Sequence, residues 1–516
     1  MPSESGHYLR RLFVLLALLP GFSPGLVDGR RAPETDPSLR LDESLVYLWP
    51  LPTEYRYGNR TLTVDPNLMF HLQGAGENSS ILGEALERYR NIIFRHRTRL
   101  SGRSSFDLGK LTIIVASDDE TGAGIQMKSI PSGGQIAKFH ADTIYGIIRG
   151  LETFSQLCTF NYKTKEVEVH NAPWYISDRP RFPFRGLLID TSRHYLPVNV
   201  IKQVIDSMSY AKLNVLHWHI VDEQSFPLEV PSYPDLWNGS YTKWERFTVE
   251  DAYELVEGVA YPDLWPSPTC REPLDVSKDF TFSVLSGILK DMHKIFPFEL
   301  FHLGGDEVNA DCWNSTPHVK QWLEQRNMTT KDAYQYFVLR AQEIAAAQNR
   351  TPVNWEETFN TFAAKLHPQT VVHNWWGPGV CPKVVAKGLR CIMSNQGEWY
   401  LDHLDVPWED LYRSEPLEGI DDASQQKLVI GGEVCMWGET ADTSDIQQTI
   451  WPRAAAAAER LWSPRETTSG EDPNSTALPR LEYFRCLLNR RGVAAAPVTN
   501  FYARRPPYGP GSCYAQ

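Results

Sequence analysis

Seven short apolar runs, each followed by polar or aromatic residues and then by helical spacing, constrain this chain's fold more than any other feature. They are Leu187 to Asp190, Val215 to Asp222, Leu300 to Gly304, Pro352 to Glu356, Val371 to Trp375, Arg390 to Ser394 and Leu428 to Gly431. A short apolar run without alternation reads as a strand buried on both faces. Strands separated by helices are parallel, because each crossover returns the chain to the same end of the sheet. Eight such units close a barrel whose active site lies at the C-terminal strand ends. The expected fold class is therefore α/β, a (β/α)8 TIM-type barrel. Between Asp222 and Leu300 the nearest run is Leu255 to Ala260, which is weak, so the third strand is expected to be missing or distorted.

Upstream of these runs the pattern changes. Leu111 to Ala116 reads as a buried strand and Ile81 to Phe94 as an amphipathic helix, while Ile144, Ile147, Ile148, Leu151, Phe154 and Leu157 share one helical face. The expected organisation is a small α+β domain over 45–179 followed by a barrel domain over 180–516, with the Pro-rich stretch Arg179 to Pro183 at the junction. Arg10 and Arg11 precede the apolar run Leu12 to Leu19, the pattern of a secretory signal over residues 1–29. That run is too short to span a bilayer and no later one approaches twenty apolar residues, so no transmembrane segment is expected. Sequons at Asn59, Asn78, Asn238, Asn314, Asn327, Asn349 and Asn474 suit the secretory route as glycosylation sites. Eight cysteines on that route read as disulfides, since none forms a close Cys-X-X-Cys pair with a nearby histidine. A formal net charge of −12 argues against a nucleic-acid or anionic-membrane partner. No metal or cofactor is implied.

The ends of the runs carry chemistry. In Phe301-His302-Leu303-Gly304-Gly305-Asp306-Glu307-Val308 an apolar run ends in two glycines and delivers two adjacent carboxylates. Neighbouring side chains on a regular strand point to opposite faces. Asp306 and Glu307 can serve one ligand only if the backbone turns at once, which the glycines permit. Such a pair in isolation is usually an acidic surface turn. Here Asp190-Thr191-Ser192-Arg193-His194, His217-Trp218-His219-Ile220-Val221-Asp222, Glu398-Trp399-Tyr400-Leu401-Asp402 and Trp437-Gly438-Glu439 end or follow other runs. His217, His219 and His302 read as packed core histidines.

These five motifs, in this order, resemble the family 20 glycoside hydrolases, the β-N-acetylhexosaminidases of plant and lysosomal type, from about Trp49 to the C-terminus. The resemblance implies exo-acting release of terminal β-linked N-acetylglucosamine or N-acetylgalactosamine from a glycan, with retention. The sugar's own acetamido oxygen is then the nucleophile. Carried over by position, Glu307 is the general acid, Asp306 orients the acetamide, and Tyr400 donates to its oxygen. Trp355, Trp375 and Trp437 become aromatic walls, and Arg193, Asp222, Asp402 and Glu439 substrate ligands. The resemblance also implies bridges Cys270–Cys312 and Cys486–Cys513, a homodimer, and a vacuolar, lysosomal or extracellular destination. Cys158, Cys381, Cys391 and Cys435 are left as buried thiols. Carboxylates crowded among aromatics should push one carboxyl pKa upward, keep Glu307 protonated at mildly acidic pH and set a rate optimum below neutrality.

One departure stands out. Family members carry an Asp-X-Pro-Gly-His type of motif on the third strand, whereas here Ala252-Tyr253-Glu254-Leu255-Val256 leads to Tyr261-Pro262-Asp263-Leu264-Trp265. The alternative expectation is a noncatalytic or impaired glycan-binding variant.

Overall fold

The structure, a computed structural model, describes residues 44–96, 105–117, 125–130, 136–248, 250–251, 267, 273–296, 298–470 and 472–499, which belong to one compact unit. The signal expected at 1–29, the weak run Leu255 to Ala260, and Cys270 and Cys513 lie outside these residues.

The N-terminal sheet is mixed. Its strands are β1 (Glu54–Gly74), β2 (Leu108–Val115), β3 (Ile125–Ile130), β4 (Ile136–Ala141), β5 (Cys158–Asn161) and β6 (Glu166–Asp178). Their order is β1-β2-β4-β3-β6-β5, with β1 also pairing β6. The first half of β1 runs antiparallel to β6 and its second half parallel to β2. Helices α1 (Ser80–Ile93) and α2 (Ile144–Leu157) pack on this sheet because Leu82, Leu86, Tyr89 and Ile93, and Ile147, Leu151 and Phe154, recur every three or four residues and are buried. Each helix starts at a hydroxyl cap: Ser79 accepts from the Leu82 amide and Thr143 from the Gly146 amide.

The second sheet contains all seven apolar runs: β7 (Phe184–Asp190), β8 (Val215–His219), β9 (Leu300–His302), β10 (Thr351–Trp355), β11 (Val371–Asn374), β12 (Arg390–Met393) and β13 (Val429–Met436). Its order is β8-β7-β13-β12-β11-β10-β9, with parallel pairing throughout. This is the sheet of a TIM-type barrel. Every residue of β7, β10 and β11 is buried, whereas β8 and β9 are only partly buried along their whole length. Those two strands end the order, and among the described residues none pairs between them. The run Ala454 to Ala458 lies buried in the helix Arg453–Trp462, which contacts β7 and β13.

Charged groups at the meeting of the two sheets are paired rather than solvated. Asp178 at the end of β6 accepts from Lys212 Nζ at 2.8 Å and from Trp462 Nε1 at 3.0 Å. Glu459 accepts from Arg480 through two bonds of 2.8 and 2.7 Å and from the Leu51 amide at 2.7 Å. Removing one partner of such a buried pair costs about 3–5 kcal/mol, because the other charge is stranded.

Cys381 and Cys391, expected as thiols, form a disulfide with Cα atoms 5.7 Å apart. The cause is local: Cys381 opens the helix Cys381–Ala386, which leads back into β12, where Cys391 sits. Cys312 and Cys486 are disulfide-bonded, while Cys158, partly buried, and Cys435, buried, are free thiols. All seven sequon asparagines are exposed.

Candidate active site

Backbone geometry at the end of β9 separates the two carboxylates. Gly304 at φ +65°, Gly305 at φ +105° and Glu307 at φ +46° make a turn in which Asp306 is partly buried and Glu307 exposed. No side chain fits at Gly305, where a Cβ would lie 2.7 Å from Thr358 Cγ2. The turn is tied down by bonds from the Trp355 amide to Gly304 O at 3.2 Å, from Asn354 Nδ2 to the same oxygen at 3.0 Å, and from the Tyr334 hydroxyl to Gly305 O at 2.6 Å. Burial, reinforced by Asp222 and Glu307, holds the Asp306 carboxyl above the usual aspartate range.

An aromatic box stands on the neighbouring strand ends. Trp355 closes β10, Trp375 follows β11, Tyr400 bridges to Cys435, and Trp437 follows β13. The Trp375 and Tyr400 rings stack at 6.4 Å with 17° between planes, and Trp437 lies 6.1 Å from Tyr400 and 6.2 Å from Trp355. Burial, with the Asp402 carboxylate adding to it, raises the Tyr400 phenol, so it meets a ligand as a neutral O–H donor.

The box rests on a stack of imidazoles. His302 lies 4.4 Å and His373 4.3 Å from Trp355, ring centre to ring centre, and His302 lies 4.9 Å from His217. His217 Nδ1 and Glu433 Oε1 are 2.8 Å apart, and His373 Nε2 pairs with Ser394 Oγ at 2.9 Å. Burial pushes His373 down to about 4, Glu433 opposing, and holds His302 well below the usual histidine range. His302 and His373 therefore pack as neutral rings.

At the opposite side, Arg193 organises the polar groups. Its Nη1 lies 3.1 Å from Asp190 and 3.8 Å from Glu439, its Nη2 2.8 Å from Asp222, and its Nε 2.8 Å from Gln224 Oε1. The guanidinium also sits 5.4 Å from the Trp437 ring centre. Asp222 Oδ2 additionally meets His219 Nε2 at 2.8 Å. Burial alone would raise the Asp222 carboxyl, but the His219 hydrogen bond and charge, with Arg193, bring it below the usual range. Asp402 is partly buried and its carboxyl raised, chiefly by burial and also by Glu439. Beside Arg193 a cavity opens, lined by His194, Tyr195, Gln224, Tyr241, Glu245 and Glu439.

Every site residue expected from sequence thus lies at or just beyond a C-terminal end of the second sheet. Glu356 and Glu357 were not assigned a role, although they follow Trp355 directly. Buried Glu356 Oε2 accepts from Asn374 Nδ2 at 2.5 Å and from the Trp375 and Trp376 amides at 2.9 and 3.2 Å. Glu357 accepts from the Trp375 indole N–H through both oxygens, each 3.1 Å away. Burial, with the charges of Asp306 and Glu356 adding to it, pushes Glu357 up to about 7.

The catalytic-domain profile of glycosyl hydrolase family 20 matches residues 182–263 and 263–465. Beta-hexosaminidase 1 of Arabidopsis thaliana is 61% identical over 514 aligned positions, covering 92% of this chain and 95% of that protein. Beta-hexosaminidase 3 of the same plant is 51% identical over 505 positions, covering 91% and 94%. Among solved structures, a chitobiase of Flavobacterium johnsoniae superposes with a TM-score of 0.75 at 26% identity, covering 89% of this chain and 74% of that one.

Proposed function

Because this chain belongs to glycosyl hydrolase family 20, we propose that it is an exo-acting β-N-acetylhexosaminidase, releasing terminal β-linked N-acetylglucosamine or N-acetylgalactosamine from glycans. One observation carries this reading: a single turn gives adjacent carboxylates different environments, Asp306 partly buried and Glu307 exposed. Two carboxyls in different surroundings take different roles.

In the proposed reaction the acetamido oxygen attacks the anomeric carbon as the bond to the aglycone breaks, and Glu307 gives its proton to the leaving oxygen. Asp306 receives the acetamide N–H, and Tyr400 donates to the acetamide oxygen before attack. Water then adds at the anomeric carbon, Glu307 takes its proton, and the acetamide is restored with configuration retained. Trp355, Trp375 and Trp437 hold the acetamido group against the anomeric centre, while Arg193, Asp222, Asp402 and Glu439 bind hydroxyls. No helix among the described residues is long and apolar enough to cross a membrane. Passage through the secretory pathway to a vacuole, lysosome or the exterior, a homodimer, and division into units at 179 and 180 belong to the same reading.

We further propose that the chain is short of a barrel segment near Asp263. The family profile breaks there, and 514 aligned positions drawing on 92% of 516 residues leave a few dozen of the relative's residues facing gaps. The purified chain, assayed with chromogenic β-N-acetyl-glucosaminide and -galactosaminide and a chitin oligomer, tests activity. Terminal sugar release supports the enzyme. Binding without release replaces it with a glycan-binding protein.

A further inference from the structure

The first turn of the helix Glu356–Phe362 supplies two carboxyls to one aromatic wall, and they act on different parts of it. Glu356 holds the backbone of Trp375 and Trp376, which places the end of β11. Glu357 holds only the indole N–H of Trp375, symmetrically, at 3.1 Å to each oxygen. That N–H is the polar handle of a partly buried ring whose Tyr400-facing side stacks and whose other neighbour, Trp376, is largely exposed and meets it edge-on at 5.1 Å. Among the described residues, Glu357 supplies the polar contact that fixes rotation of the indole about its own side-chain bonds.

We infer that Glu357 is a positioning residue of this reaction: by gripping the Trp375 indole it fixes the wall of the acetamido pocket and sets which N-acyl groups fit there. The inference rests on the wall assignment of Trp375. A carboxyl can grip an indole N–H either ionised or neutral, since an oxygen acceptor is present in both forms. Glutamine retains that acceptor; alanine does not. A wall displaced by about 1 Å can cost about a hundredfold in rate, because the acetamido oxygen must reach the anomeric carbon in line.

The test compares the full chain and its Glu357→Ala, Glu357→Gln, Trp375→Phe and Glu357→Ala/Trp375→Phe variants on chromogenic β-glycosides of N-acetyl- and N-propionylglucosamine. Glu357→Ala is expected to lower kcat at least about tenfold on the N-acetyl substrate and to shrink the acetyl-over-propionyl preference at least about threefold. Glu357→Gln keeps most of that preference. Trp375→Phe, which keeps a ring and loses the donor, reproduces the alanine effect, and the double variant is no worse than either. Additive losses in the double variant, or an unchanged acyl preference in Glu357→Ala, would overturn the inference. If Glu357→Ala does not fold, the contrast between Trp375→Phe and Glu357→Gln decides in the same way. Failure of the wall reading looks different: Trp375→Ala would then leave the acyl preference intact.

Discussion

The two arcs of the barrel sheet do different work. From β10 through β13 to β7 the strands are almost wholly buried and present Trp355, Trp375, Tyr400 and Trp437 from rigid ends. The end strands β8 and β9 are partly exposed throughout, yet they lead into Asp222, Asp306 and Glu307. On the proposed roles, pocket shape comes from the well-packed arc and proton transfer from the less protected one. Residues that matter for rate need not be those that matter for stability, and the difference can be measured strand by strand.

The largest effect should come from the exposed arc. Glu307→Gln is expected to lower kcat by roughly 10²–10⁴ on an unactivated substrate, the usual contribution of a general acid, while leaving the melting temperature nearly unchanged because the side chain is exposed. Equal loss of rate and stability would erase the contrast. Within the buried arc, Gly431→Ala should do the reverse. At φ +152° a Cβ would lie 1.8 Å from Phe184 O, so denaturant unfolding should show a loss of at least about 3 kcal/mol. A neutral result there would mean β13 and β7 can separate freely.

Hydrogen exchange reads the same difference without mutation. Amides of β8 and β9 should exchange at least about tenfold faster than those of β11 and β12, since local opening is easiest where burial is incomplete. Equal protection would show the end strands to be as firmly held as the rest.

The smallest effect concerns Glu357, whose folded carboxyl titrates at about 7 against about 4.3 in an unfolded chain. A group raised in this way favours folding while protonated. Its contribution is full below the unfolded value and is lost as pH rises through the folded one. Glu357→Gln should therefore melt above the parent at pH 8 and level with it at pH 4. The opposite ordering would show that Glu357 is held as an anion by its indole partner.

Much of this was legible in the chain. The seven apolar runs are the seven parallel strands, because a strand buried on both faces must be apolar without alternation. Helices α1 and α2 followed from the spacing of their apolar residues. In the N-terminal sheet only β2 was read; β1, for instance, is largely exposed along its length and carries too little apolar signal. Glu356 and Glu357 were passed over because their partners lie about twenty residues away on the next strand. The Cys381–Cys391 bridge escaped for a similar reason: only the return of a helix onto β12 brings the sulfurs together.

Pattern and residue order by themselves determined the strand count of the runs, the parallel topology, and the set of groups gathered at one end of the sheet, since periodicity and motif order are local properties of the chain. Tertiary packing alone decided the environment of each group. Burial depends on what other strands bring near, so only the assembled barrel could withdraw Asp306, expose Glu307, and fasten the Trp375 indole to a carboxyl from its neighbour.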